Sequence, residues 1–163
     1  MAVKKTIQTT VVLVLAIGIC VLAGYIGSLY TTPSIPAWYA GLQKPDLNPP
    51  SWVFAPVWTV LYIFMGISLA LILLSGISKA EVLTGFILFL LQLGLNIGWS
   101  YLFFGWHSIF IAFMCIVLLW AFVLCIIIQV SRFSIIGAAF LIPYLVWISF
   151  AAYLNYAIMV LNP

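Results

Sequence analysis

The chain has 163 residues with a net charge of +3. Charged side chains make up only 4% of it and apolar or aromatic ones 67%, against about 25% charged in an average soluble domain. Seven charged residues cannot clothe a water-soluble surface of this size, and five basic residues scattered along the chain make no nucleic-acid footprint. What remains is an integral membrane protein. Its apolar runs match the roughly 20 helical residues that cross a hydrocarbon core about 30 Å thick, and the alternating pattern of a transmembrane β-barrel is absent.

Five spans are predicted, at about 7–30, 52–74, 82–104, 108–130 and 133–161. Lys4 and Lys5 followed by an apolar run resemble a signal peptide, and Val21-Leu22-Ala23 could be its cleavage site. The run continues to Leu29, past the roughly 7–15 residues of a signal core, so it is expected to stay as the first span. Links between later spans are short and make successive helices antiparallel neighbours. The first link, 31–51, is the long one. In it Pro45, Pro49 and Pro50 forbid helix, because proline lacks an N–H and fixes φ. Ser51 is the expected N-cap of the second helix, and Pro56 falls about one turn in. Trp38, Tyr39 and Trp52 are expected at the membrane interface, with the stiffened link folded over the end of the bundle as a lid. Lys4, Lys5, Lys79 and Arg132 fall at one end and only Lys44 at the other, which predicts a cytoplasmic N-terminus.

No acid or base lies inside a span, which counts against a proton-coupled pump or an exchanger of charged substrates. His107, the single histidine, excludes a haem held by two histidines and reads as an interfacial side chain. No metal site is expected, and Cys20, Cys115 and Cys125 read as buried small hydrophobes. Neutral polarity is more informative. Gln92, Asn96, Trp99 and Ser100 share one face of the third span at i, i+4, i+7 and i+8, which suits either helix–helix hydrogen bonding or the wall of a pocket. Gly94 and Gly98 form a GxxxG turned away from that face, towards lipid, another protomer or an intrachain neighbour. A small-residue ridge, Ala16, Cys20, Gly24 and Ser28, suits close intrachain packing. Trp58 and Tyr62 share a face of the second span. On the fifth, Pro143 must distort the helix ahead of Trp147 and Ala151. Aromatics and amides from several spans under an aromatic lid describe a pocket for a large, flat, mostly apolar ligand.

The motif Trp38-Tyr39-x-x-Leu42-x-Lys44-Pro45 with Pro49-Pro50-x-Trp52-Val53-Phe54-x-Pro56-Val57-Trp58 resembles the first-loop and second-helix signature of the TspO/MBR family. Asn96-x-x-Trp99-Ser100-x-Leu102-Phe103-Phe104-Gly105 is similar to the family's third-helix motif, and Pro143-Tyr144-Leu145-x-Trp147-x-x-Phe150-Ala151-x-x-Leu154-Asn155 to its fifth. The resemblance implies an all-α five-helix membrane bundle, a homodimer, and binding of porphyrins such as protoporphyrin IX and of synthetic isoquinoline-carboxamide and benzodiazepine ligands, with no obligatory cofactor. By position it implies Tyr39, Pro49, Trp58, Tyr62, Asn96, Trp99, Cys115, Trp147 and Ala151 as ligand-binding residues, with Trp58 and Asn96 bonding ligand carbonyls. It also implies Trp58 and Trp147 as the tryptophans of a light- and oxygen-dependent porphyrin breakdown. The vertebrate cholesterol motif needs a basic residue after a tyrosine near the end of the fifth helix. Tyr153 and Tyr156 are followed by none, so sterol is not expected as a ligand. Three functions stay open at this point: a porphyrin-binding receptor or sensor, a photo-oxidising enzyme, and a transporter of tetrapyrroles or lipids. A bacterial cytoplasmic membrane is the expected location.

Overall fold

The computed structural model describes residues 2–163. Its helices are α1 (Ala2–Ser34), α2 (Phe54–Leu74), α3 (Ala80–Ser100), α4 (Ile109–Ser131), α5 (Ile135–Ala139) and α6 (Ile142–Leu161). A π-helical turn, Ile35–Tyr39, prolongs α1 and another, Tyr101–Gly105, prolongs α3; a 3₁₀ turn, Ser51–Val53, leads into α2. With α5 and α6 taken as one broken rod, five helices among the described residues are long and apolar enough to cross a membrane. In hydrocarbon each backbone N–H and C=O needs a partner within its own segment, and only a helix supplies that to a single strand of chain.

The helices close into a ring in which α1 packs on α2 and α3, α4 on α3 and α6, and α2 on α5. Small residues set the closest approaches. Gly66 of α2 lies against the backbone of Ile17, Gly24 of α1 against the ring of Tyr62, and Gly27 against Ser100. The ridge Ala16, Cys20 and Gly24 is therefore intrachain packing. Van der Waals contact is the main attraction between helices in lipid, and a missing Cβ is what lets two backbones meet. The main core fills the end of the bundle remote from the first link, around Met65, Leu69, Phe89 and Ile148. A separate aromatic cluster built on Tyr39, Phe103, Ala112 and Ile158 closes the other end.

Four expectations about the chain path need correction. Residues 31–41 are helical, so only about half of the predicted lid link is irregular. Pro33 lies inside α1 and Pro36 inside the π-turn; both are exposed, near the helix end. There the widened i→i+5 turn and nearby polar groups can take up the carbonyls they leave free. Pro45, Pro49 and Pro50 do break the helix, as expected. Ser51 is not an N-cap: α2 starts three residues later, with no side-chain cap, after the 3₁₀ turn closed by Val53 N–H on the Pro50 carbonyl at 3.0 Å. Tyr39 is not an exposed interfacial ring but is 5% exposed, whereas Trp52 is 75% exposed. The fifth span is interrupted at Phe140–Leu141, and Pro143 occupies the first turn of α6, where its missing N–H costs nothing. This break is the distortion expected of Pro143. It also leaves α2 in close contact with α5 and only sparse contact with α6.

Candidate functional site

Where α2 and α6 diverge, under the aromatic cluster, lies a cavity of about 380 Å³, within the roughly 300–1,000 Å³ of ligand pockets. Each wall follows helical periodicity. From α2 and the 3₁₀ turn before it come Ser51, Phe54, Ala55, Trp58, Thr59 and Tyr62; from α6 come Trp147, Ala151, Leu154, Asn155 and Ile158; α3 and its π-turn give Trp99, Ser100, Phe103 and Phe104. The inner face of α1 supplies Gly24, Gly27, Ser28 and Thr31, with Tyr39 at the lid end. No residue of α4 lines it.

Of the predicted ligand residues, the structure brings Tyr39, Trp58, Tyr62, Trp99, Trp147 and Ala151 onto this wall, and leaves Pro49, Asn96 and Cys115 off it. Pro49 stays in the link, its carbonyl taking a hydrogen bond from Asn48 Nδ2 at 3.1 Å. The Cys115 thiol faces the Leu95 carbonyl at 3.6 Å. Asn96 is 1% exposed and spent on its neighbours. Its Oδ1 accepts from the Tyr62 hydroxyl, and its Nδ2 donates to the Tyr144 hydroxyl at 3.0 Å, which in turn donates to Gln92 Oε1 at 3.1 Å. The polar stripe of α3 thus divides. Gln92 and Asn96 bond helices together beneath the cavity, with Tyr62 as its floor, while Trp99 and Ser100 reach the void.

The hydroxyls of Ser28, Thr31 and Thr59 bond carbonyls of their own helices at 2.7, 3.2 and 2.8 Å. Trp99 Nε1 donates to Asn155 Oδ1 at 3.1 Å, and Asn155 Nδ2 to the Ile109 carbonyl at 2.9 Å, tying α3 and α6 to the start of α4. Two indoles remain. Trp58 stacks on Tyr62 at 5.6 Å and meets Tyr144 edge-on at 6.2 Å, with no hydrogen bond to its ring nitrogen. Trp147 Nε1 is buried with no partner. No Lys, Arg, His, Asp or Glu lines the cavity, and no cluster of three or more His, Cys, Asp or Glu occurs among the described residues. The chamber is mostly apolar and aromatic, with hydroxyls and indole N–H groups as its polar points and no charged side chain on its wall.

The lid is tied from several sides. Tyr39 donates to Asn48 Oδ1 at 2.7 Å; Lys44 Nζ bonds the Ala40 and Leu42 carbonyls at 3.3 and 2.9 Å and sits 4.8 Å above the Tyr39 ring. Asn162, past the end of α6, takes both backbone groups of Gln43, at 3.0 and 2.9 Å. His107 is not a free interfacial ring: it stacks on Trp38 at 4.3 Å and shares a hydrogen bond with Ser34 Oγ at 3.2 Å. Gly94 is exposed and Gly98 half-buried, and a Cβ at either would meet nothing within 4 Å, so neither glycine is needed for a close intrachain approach.

Sequence reasoning missed Phe54, Phe103, Phe104, Leu154, Ile158 and the α1 face. Extending the Trp147–Ala151 step by three and seven residues reaches Leu154 and Ile158, and a step of four back from Trp58 reaches Phe54. On α1, Gly24 and Ser28 stood in the small-residue ridge but read there as helix packing, and nothing in the sequence separated a close helix contact from the edge of a void.

The sequence profile described as TspO/MBR family matches residues 16–161. Among relatives, the chain is 46% identical to "Tryptophan-rich protein TspO" of Chlorobaculum tepidum, over 93% of this chain and 96% of that one. It is 36% identical to "Translocator protein" of Homo sapiens, over 82% and 80%, and 33% identical to "Tryptophan-rich sensory protein" of Cereibacter sphaeroides, over 77% of each.

Proposed function

Because the chain belongs to the TspO/MBR family, we propose that it is a membrane receptor or sensor that holds a porphyrin of the protoporphyrin IX type, or another flat apolar ligand such as an isoquinoline-carboxamide or benzodiazepine, in the cavity beneath the lid. The observation that carries this reading is the pairing of Trp58 and Trp147 on one void that has no charged wall. A tetrapyrrole's macrocycle matches the apolar, aromatic chamber. Its carboxylates find no cation there and belong at the lid mouth, on the side of Lys44. The names of the relatives, sensory in one case and translocator in another, support the same broad role.

The test is a titration of purified protein with protoporphyrin IX in darkness, read by tryptophan quenching. Wild type is expected to saturate. Trp58→Phe keeps an aromatic side chain, smaller than the indole, and loses the N–H donor; it should weaken binding at least about tenfold, one hydrogen bond's contribution in a dry site. Equal affinity for Trp58→Phe would remove Trp58 from the site. Repeating the titration under illumination addresses a second reading, in which bound porphyrin is photo-oxidised. It is favoured by Trp58 and Trp147 lining the same cavity, where each indole could relay an electron during oxidation of the excited porphyrin, with dioxygen as the final electron acceptor. Light-dependent loss of the porphyrin's main absorption band only in the presence of wild type would establish an enzyme; equal loss without protein would reduce it to incidental photochemistry.

A homodimer through the outward groove of Gly94 and Gly98 is part of the same proposal, supported by the open space around both. Replacing both with Leu should abolish the cross-linked dimer in membranes; persistence of the dimer would place the interface elsewhere. Lys4, Lys5, Lys79 and Arg132 at one end against Lys44 at the other support a cytoplasmic N-terminus in a bacterial cytoplasmic membrane, with the lid outside.

A further inference from the structure

A second void, of about 290 Å³, lies on the flank of the bundle between the end of α1 and the π-turn that ends α3. Leu29, Tyr30 and Trp38 form one wall and Gly105 and His107 the other, and Phe104 lies on both this groove and the main cavity. Leu29 belongs to a membrane span and is 54% exposed, so the groove opens sideways, where lipid chains lie. Its width depends on glycine: a Cβ at Gly105 would come within 3.2 Å of Tyr30 Cδ1 and 3.0 Å of Tyr101 Cδ2.

Two ways into the main cavity can be compared by what each would have to break. The end-on way is closed by the lid, which two hydrogen bonds between Gln43 and Asn162 tie to the end of α6 and which three more, from Tyr39 and Lys44, brace internally. On the sideways way, Phe104 is the residue that lines both voids. It is half-buried, meets Trp99 at 6.0 Å, Phe103 at 4.8 Å and Tyr39 at 5.8 Å, and has no hydrogen bond to lose. A side chain leaves its rotamer far more cheaply than a loop gives up several hydrogen bonds. The turn that carries Phe104 is itself π-helical, with one residue more per turn than the α-helix before it.

We infer that the flank groove is the entrance vestibule of the cavity, and that Phe104 is the gate through which a flat apolar molecule dissolved in the membrane passes between α1 and α3. The inference rests on the reading of the main cavity as a ligand site, and a gate acts on rates while the vestibule makes no contact with the ligand once it is seated.

The experiment is stopped-flow binding of protoporphyrin IX to protein in lipid nanodiscs, in darkness. Gly105→Leu and Ala37→Trp are residues of the groove alone, so each narrows the vestibule without touching the cavity wall; Asn162→Ala frees the lid. Gly105→Leu and Ala37→Trp are expected to slow association and dissociation alike, about tenfold as for a modestly raised barrier, with Kd nearly unchanged. Asn162→Ala is expected to leave both rates as in wild type. Wild-type rates in both groove variants, or a faster Asn162→Ala, would overturn the side entrance in favour of the lid. A weakened Kd with unchanged association would also overturn it, making the groove part of the bound-state site. Absence of saturable binding by wild type would sink the ligand-site reading itself, a result distinct from these. Ala37→Trp, on an exposed helical position, covers the case in which Gly105→Leu fails to fold.

Discussion

Gly66→Ala is expected to be among the most damaging single-methyl changes in this protein. The added Cβ would lie 2.9 Å from Ile17 N and 2.8 Å from Ile17 Cγ1, and closer still to Ile17 Cα. A crowded side chain can rotate away, but the backbone of a neighbouring helix cannot. α1 and α2 would therefore have to separate along their shared interface, where Gly24 also meets the Tyr62 ring. Overpacking usually costs about 1–3 kcal/mol, and backbone contact puts Gly66 near the upper end, against a gain in helix propensity of at most about 1 kcal/mol. Thermal unfolding in detergent should show a net fall of roughly 2 kcal/mol in stability. Gly18→Ala is the matched control: the same helical substitution with nothing within 4 Å. It should be neutral or slightly stabilising. Equal behaviour of the two variants would mean that the close approach of α1 and α2 does not hold the bundle together.

Ala151→Trp is expected to abolish ligand binding while the fold survives. Ala151 is 9% exposed and lines the cavity between Trp147 and Asn155, so a large ring there enters space that is empty rather than occupied. Filling a void carries little of the strain that overpacking a full core does. Affinity for protoporphyrin IX should fall at least about a hundredfold, a loss of some 3 kcal/mol, with the thermal midpoint within a few degrees of wild type. Wild-type affinity in a folded Ala151→Trp protein would move the ligand out of this cavity. A large drop in midpoint together with lost affinity would instead show that the space is needed by the helices themselves.

Much of the bundle was legible because lipid leaves so few choices. Run length and the positions of short polar links identified five spans, and the need of Gln92 and Asn96 for partners turned the α3 stripe inward. Less visible was how a polar residue spends its hydrogen bonds. From its spacing Asn96 suits helix–helix glue somewhat better than a ligand handle, and only Tyr62 and Tyr144, arriving from two other helices, show which partners its amide takes in this structure. The helical continuation of α1 to Tyr39 was hidden by Pro33 and Pro36, because propensity counts the lost hydrogen bonds without knowing that these prolines face outward near a helix end. The π-turns were invisible for a related reason: one extra residue in a turn leaves no compositional mark. The outward face of Gly94 and Gly98 was readable, since helical geometry places it opposite Asn96 whatever surrounds it.

The hydrogen-bonded floor of the cavity has a consequence for traffic across the membrane. Below Tyr62 the bundle is closed by the Asn96, Tyr144 and Gln92 contacts and then by Met65, Leu69, Phe89 and Ile148, each at most 1% exposed. The chamber is thus a blind alley, bounded by the lid at one end of the bundle and by packed side chains at the other. The Gln92 amide nitrogen, which has no partner, ends the chain of donors within that packed half.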